Sequence, residues 1–264
     1  MSACSKNCSL FTAHCPLLFV HGWATDSRVW KYQVEEFSKN YSIAVIDLPG
    51  HNGKDKWSEP TLKPAIEKIL LSTVHWPLST GFIGIGWSLG GQALLEAAAK
   101  RPDYFKGLIL IGVSPYFIAK KDFPWGQSAG VAKRMLKDLK KDFTKTMERF
   151  YPLNFTEKEF LQPEAKWFTE LYKKPRTKPF RASAVTALEA LLAIDLRDIV
   201  PDTKIPVLII HGEKDNVCPV DTGKYLARNL PDARLEIFKD AGHAPFLTKP
   251  KEFNKIVKGF IETL

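Results

Sequence analysis

Phe82-Ile83-Gly84-Ile85-Gly86-Trp87-Ser88-Leu89-Gly90-Gly91 decides the fold. A short apolar run ends at a serine flanked by glycines, and an Ala- and Leu-rich stretch, Leu89 to Lys100, follows at once. Gly86-Trp87-Ser88-Leu89-Gly90 fits the pattern G-x-S-x-G, and a strand before it with a helix after it is the context that gives the pattern meaning. The glycines permit a sharp, strained turn that lifts the serine above a sheet edge. The helix N-terminus beneath it offers free amides and a positive dipole end. A Gly-rich turn that merely packs is the plain alternative.

Further apolar runs lie on either side. Leu17-Leu18-Phe19-Val20 ends at His21-Gly22, and Ile43-Ala44-Val45-Ile46-Asp47 closes with Leu48-Pro49-Gly50. Leu108 to Val113, Val207 to Gly212 and Arg234 to Phe238 complete six predicted strands. Most are continuous rather than alternating, as expected of a parallel sheet covered on both faces. Amphipathic stretches at Thr222–Leu230 and Glu252–Leu264 alternate with them, so the class is α/β. The alternation stops after Val113. Residues 116–196 read as helical and aromatic, broken by Pro124, Pro152, Pro163, Pro175 and Pro179. The expected organisation is a core of residues 1–115 and 197–264, with 116–196 as a helical cap over the sheet's carboxyl edge, where open α/β sheets bind ligands.

A serine alcohol is a poor nucleophile until a base takes its proton. His243, in Asp240-Ala241-Gly242-His243-Ala244-Pro245-Phe246, follows the last strand in a Gly/Pro-marked loop and is the expected base. His21 and His211 end strands and read as structural, while His14, His51 and His75 precede the serine. Asp215, after the fifth strand, is the expected orienting acid, with Asp195 and Asp240 as competitors. The order Ser, Asp, His is that of α/β-hydrolase folds. An oxyanion needs two amides. Leu89 N–H and Trp23 N–H occupy the expected positions, and the Trp23 side chain would wall an acyl pocket.

Composition sets the bounds. The 264 residues are 45% hydrophobic and 25% charged, ordinary for a globular domain. No run approaches the roughly 18 to 20 apolar residues of a membrane span, and residues 1–15 do not read as a secretory signal, so a cytoplasmic location is expected. Cys4, Cys8, Cys15 and Cys218 read as free thiols; a zinc site completed by His14 would match no common spacing. No metal or cofactor is expected. The net charge is +9, and between Tyr116 and Ala187 sixteen Lys and Arg face eight Asp and Glu. That segment should face any negative partner.

His21-Gly22-Trp23, Asp47-Leu48-Pro49-Gly50-His51, Gly86-Trp87-Ser88-Leu89-Gly90-Gly91 and Ala241-Gly242-His243-Ala244-Pro245-Phe246 together resemble the α/β-hydrolase superfamily. With Glu148-Arg149-Phe150 and Ile194-Asp195-Leu196-Arg197, the chain more narrowly resembles the pimeloyl-acyl-carrier-protein methyl ester esterases of biotin synthesis. Many relatives have Gly-His-Gly where this chain has Gly50-His51-Asn52-Gly53. The resemblance implies a serine carboxylic-ester hydrolase working through an acyl-serine. It places acyl contacts on Trp23, Ser88, Leu89, His243 and the run Phe150, Tyr151, Pro152, Leu153 and Asn154. Phe, Tyr and Leu suit a methylene chain, at about 0.8 kcal/mol per buried CH₂, and Asn154 would hydrogen-bond a carbonyl or a phosphopantetheine amide.

Val131 to Tyr151 is predicted as one amphipathic helix. Lys133, Lys137, Lys141, Lys145 and Arg149 form a stripe along it that would dock an acidic carrier protein. A solvated face is the plain alternative. The partners expected are thus a carrier-bound or small ester substrate, with no nucleic acid and no membrane, and a monomer is the expected state. The rival functions are a general carboxylesterase or carbon–carbon bond hydrolase, and a non-enzymatic ligand receptor on the same scaffold.

Overall fold

The computed structural model describes residues 15–51, 55–76, 80–174 and 177–264. Cys4, Cys8 and His14 of the zinc reading, the Asn52–Lys54 departure and the Pro175 break lie outside the described residues. All six apolar runs are strands: β1 (Leu17–Val20), β2 (Ile43–Ile46), β3 (Phe82–Trp87), β4 (Phe105–Ile111), β5 (Val207–Gly212) and β6 (Ala233–Phe238). They form one sheet in the order β2-β1-β3-β4-β5-β6, parallel throughout. β1, β3 and β5 are buried along their whole length, while the edge strands β2 and β6 are half exposed. This is why the inner strands read as unbroken apolar runs and β6 alternates. β4 begins three residues before the predicted Leu108, because exposed Lys106 interrupts the apolar pattern without ending the strand.

The helices α1 (Lys31–Phe37), α2 (Lys63–Thr73) and α3 (Leu89–Lys100) alternate with the first strands. The chain runs from β1 outward to β2, then crosses back to β3 on the other side of β1. That switch opens a crevice between the carboxyl ends of β1 and β3, which end at Val20 and Trp87. α3 packs so closely there that a Cβ on Gly90 would lie 2.4 Å from His21 O. Glycine is therefore required for the helix to reach the β1 loop.

Between β4 and β5 the chain forms α4 (Ala129–Lys141), α5 (Phe143–Phe150), α6 (Glu157–Phe160), α7 (Pro163–Lys173) and α8 (Lys178–Ala193). Its two ends lie side by side: Tyr116 and Asp195 form an antiparallel bridge, and Leu196 N donates to Pro115 O at 2.8 Å. After β5 come α9 (Val220–Asn229), β6, α10 (Pro245–Thr248) and α11 (Pro250–Ile261). Among the described residues no helix is long and apolar enough to cross a membrane. Cys15 and Cys218 are free thiols.

The single helix predicted over Val131–Tyr151 is two. Asp142, at φ −146° and ψ 91°, leaves the helical region and caps α5 by accepting from Lys145 N at 3.0 Å. A short carboxylate that satisfies a free amide favours a new helix start over continuation. The basic stripe is therefore bent, with Lys133, Lys137 and Lys141 on α4 and Lys145 and Arg149 on α5, all five exposed.

Candidate active site

Ser88 links β3 to α3 at φ 52° and ψ −118°. A non-glycine residue at such angles costs of order 1–3 kcal/mol and persists only where its surroundings enforce it. Here the enforcement is visible. Ser88 N donates to Ile111 O at 2.8 Å, and Ser88 O accepts from Gln92 N at 3.1 Å. The preceding Trp87 makes edge contacts with Phe246 (5.2 Å) and Phe168 (6.2 Å). Its indole Nε1–H donates to His243 O at 2.9 Å. The residue that seats the serine thus also holds the backbone of the histidine.

Asp215 lies in the turn after β5, 6% exposed. Its Oδ1 accepts from Val217 N and Cys218 N, both at 2.8 Å, and its Oδ2 accepts from His243 Nδ1–H at 2.6 Å. Burial opposes ionisation there, but the attraction and hydrogen bonds of His243 and His211 outweigh it and hold the carboxyl far below the usual carboxylate range. With Nδ1–H given to the carboxylate, the tautomer this partner selects leaves His243 Nε2 as a proton acceptor.

Ser88, Gly112, Asp215 and His243 follow the ends of β3, β4, β5 and β6, four neighbouring strands, so they stand in one row along the sheet's rim. Gly112 is the floor of that row. It has φ +57°, and a Cβ there would lie 2.7 Å from His243 Nδ1 and 3.3 Å from Asp215 Oδ2. Among the described residues no hydrogen bond joins the Ser88 hydroxyl to His243. Such a bond is commonly loose until substrate is bound.

α3 abuts the β1 loop at Gly90, so the segments that carry the amides of Trp23 and Leu89 flank the same crevice. Among the described residues neither donates to a protein acceptor. Trp23 is clamped by its Nε1–H to Ala184 O at 2.7 Å and by an edge contact to Phe150 at 5.0 Å. Ala24, at φ 56°, donates its amide to His51 Nε2 at 3.2 Å.

The run from Phe150 to Asn154 does not form one wall. Phe150 touches Trp23, and the Tyr151 hydroxyl donates to Ala24 O at 2.9 Å. Pro152 and Leu153 sit in the turn after α5. Leu153 is 48% exposed and opens into a groove of about 210 Å³ with Val131, Met135, Thr146 and Phe150. Asn154 is buried and turned inward. Its side-chain NH₂ donates to Tyr151 O at 2.9 Å, and its carbonyl accepts from His243 N at 2.8 Å. One N–H of the side-chain amide is therefore used within the turn.

Two contributors escaped sequence reasoning. His211, a strand-end residue in the sequence, has its Nε2 2.7 Å from Cys218 O and 3.4 Å from Asp215 Oδ2. The i,i+4 spacing of His211 and Asp215 was the available signal. His51 precedes the serine in the chain, and its Nε2 holds the Trp23–Ala24 loop by accepting from Ala24 N. The competing acids lie elsewhere: Asp195 pairs with Arg197 at 2.7 Å, and Asp240 with Lys214. Among the described residues no cluster of His, Cys, Asp and Glu could hold a metal ion.

The sequence pattern of the alpha/beta hydrolase family matches residues 17–256. The chain belongs to that family. Within it, the chain is 32% identical over 237 residues to the pimeloyl-[acyl-carrier protein] methyl ester esterase of Nitrosomonas europaea, covering 90% of this chain and 92% of the relative. It is 29% identical over 250 residues to the protein of the same name from Xylella fastidiosa, covering 94% and 95%. Solved structures share the α/β-hydrolase fold. An esterase from Exiguobacterium antarcticum has TM-score 0.82 at 24% identity, covering 94% of this chain and 92% of that one. A bromoperoxidase from Bacillus anthracis has TM-score 0.83 at 21% identity, with the same coverage.

Gly112 gives this α/β-hydrolase a testable floor. Gly112→Ala combines an unfavourable left-handed conformation, costing about 1–2 kcal/mol, with displacement of the imidazole. Thermal unfolding should show a loss of roughly 2–3 kcal/mol. Turnover of a p-nitrophenyl ester should fall about 10²-fold, as for an ångström-scale misplacement of a reacting group.

Proposed function

We propose that this α/β-hydrolase is a serine carboxylic-ester hydrolase that cleaves the methyl ester of pimeloyl-acyl carrier protein in biotin synthesis. The observation that carries the reading is the row at the sheet rim: a strained Ser88 beside a buried Asp215–His243 pair with a 2.6 Å hydrogen bond. The names of the relatives at 28–32% identity support the substrate.

In this reading Ser88 Oγ attacks the ester carbonyl carbon while His243 Nε2 takes its proton. Asp215 stabilises the imidazolium, and the amides of Leu89 and Trp23 receive the oxyanion. Collapse breaks the carbon–oxygen bond to methoxide, which leaves as methanol with the proton from His243. Water, deprotonated by His243, then attacks the acyl-Ser88 ester. The carboxylate is released, and Ser88 regains its proton.

Residues 116–196 act as the cap over the core of 1–115 and 197–264. Trp23 and Phe150 line the start of the acyl path, with Tyr151, Pro152 and Leu153 beyond them. The bent row Lys133, Lys137, Lys141, Lys145 and Arg149 docks the acidic carrier, although Arg149 also pairs with Asp138 at 3.3 Å. A monomer in the cytoplasm goes with this reading.

Reversing the charge at Lys141, Lys145 and Arg149 should raise KM for a carrier-bound substrate at least tenfold, the effect shrinking at high salt. Hydrolysis of p-nitrophenyl acetate should change less than about twofold, since rim charges chiefly govern encounter. Equal loss on both substrates would remove the docking role. The function as a whole is tested by rescue of a biotin auxotroph that lacks its methyl esterase. Growth supports the reading. Failure with good expression leaves a small-ester hydrolase.

A further inference from the structure

Glu159 is a buried carboxylate, 3% exposed, with no ion pair among the described residues. It is the third residue of the short helix α6, and part of its bonding is local. In a capping box its Oε2 accepts from Thr156 N at 2.9 Å and from Thr156 Oγ1–H at 3.1 Å. The rest is not local. The same Oε2 accepts from Gly242 N at 2.8 Å, across 83 residues of sequence, and Oε1 accepts from the Thr248 hydroxyl at 2.5 Å. Gly242 immediately precedes His243, and Thr248 ends the turn that follows it. One carboxylate therefore grips the histidine loop on both sides.

The grip belongs to a larger seam. Residues 151–159 form a strap that leaves α5, runs across the rim and enters α6. At one end Tyr151 OH donates to Ala24 O, beside the amide of Trp23. In the middle Asn154 O accepts from His243 N at 2.8 Å. At the far end stands Glu159. An isolated carboxylate is costly to bury unless donors surround it, and two of the four donors here belong to the histidine loop. Helix capping alone needs neither Gly242 nor Thr248.

We infer that Glu159 is a positioning residue for His243, through which the cap aligns the imidazole when the strap is seated. The inference rests on the reading of His243 as the general base. It makes alignment of the relay conditional on cap geometry: a lifted strap frees Gly242 N and Thr248 Oγ1 and lets the histidine loop relax.

Reach, not charge, is what the role requires, and two substitutions separate them. Glu159→Gln keeps the length and one acceptor oxygen toward Gly242 and Thr156, while its NH₂ meets Thr248 Oγ1, which can accept. Glu159→Asp keeps the charge but is one methylene short of the loop. With p-nitrophenyl acetate, the Gln variant should retain most of the wild-type kcat. The Asp variant should lose kcat at least tenfold with KM little changed, as expected for misplacement of a reacting group. Thr177→Ala, which removes the cap of α8 at Phe180 N and touches neither Glu159 nor the histidine loop, should keep kcat within about twofold while lowering the melting temperature. The low-field proton resonance of His243 Nδ1–H reads the same alignment without turnover. It should be sharp in the wild type and the Gln variant, and broadened by exchange in the Asp variant. An Asp variant with wild-type kcat and an unchanged resonance overturns the inference. So do Asp and Thr177→Ala variants that lose activity in parallel with stability. A wild-type enzyme inert towards esters defeats the esterase reading instead, and the resonance still decides the role of Glu159.

Discussion

Ser88→Ala is expected to lower kcat for ester hydrolysis by roughly 10⁵- to 10⁶-fold, the size of effect seen when a relay loses its nucleophile. The variant should remain folded. Among the described residues the Ser88 hydroxyl makes no hydrogen bond, so its removal leaves no buried partner unsatisfied. Alanine inherits the same strained backbone at φ 52°, so the melting temperature should stay close to that of the wild type. Ser88→Gly sharpens the point. Glycine adopts positive φ without penalty, so this variant should be inactive yet more stable, by about 1 kcal/mol. Stability gained where activity is lost is the mark of strain held for function. Denaturation curves beside p-nitrophenyl ester kinetics measure both. A Ser88→Ala enzyme that turns over normally would remove the nucleophile from the account.

Asp215→Asn is expected to lower kcat by about 10⁴-fold, the loss that accompanies a wrong histidine tautomer. Oδ1 is committed to two backbone amides, so the asparagine oxygen will stay there and its NH₂ will face His243 Nδ1. A donor facing Nδ1 moves the histidine hydrogen to Nε2, where the serine proton needs to go. The variant should also be less stable at neutral pH, because the folded state holds the Asp215 carboxyl far below its unfolded value. A depressed carboxyl contributes stability above its unfolded value, near 3.9, and loses that contribution as pH falls towards the folded one. The stability gap between wild type and Asp215→Asn should therefore be flat above about pH 5 and shrink as acid is added. A gap that instead grows below pH 4 would mean that Asp215 is not held ionised by the fold.

The parts of this molecule that were legible in the sequence are those decided locally. Strands buried on both faces show as unbroken Val-, Ile- and Leu-rich runs, and the elbow at Gly86–Gly90 shows because glycine is needed where α3 meets the β1 loop. His243 and Asp215 could be nominated from their places after β6 and β5, since strand ends in such folds meet at one rim. What escaped is non-local. Nothing near Glu159 in the chain announces Gly242 or Thr248, and the capping box offered a sufficient local reason for the residue. Gly112 reads as one more residue of the fourth apolar run until the imidazole above it is seen. The break at Asp142 was legible in principle, as an N-cap residue inside an amphipathic pattern, but helical periodicity ran through it because both helices bury the same side. Asn154, whose chemistry suits a ligand, gives one side-chain N–H to Tyr151 O, a non-obvious use set by the fold of the turn.

The proposed ester chemistry passes through an acyl group on Ser88, and that acyl-enzyme can be trapped. The enzyme is mixed with a p-nitrophenyl ester and quenched in acid within the first turnover, and the digested peptides are weighed by mass spectrometry. The added mass of the acyl group is expected on the peptide carrying Ser88, stronger when Asp215 is Asn if water attack is slowed more than acylation, and absent when Ser88 is Ala. Acylation of a different residue, or full hydrolysis with no acylated peptide at any quench time, would contradict it.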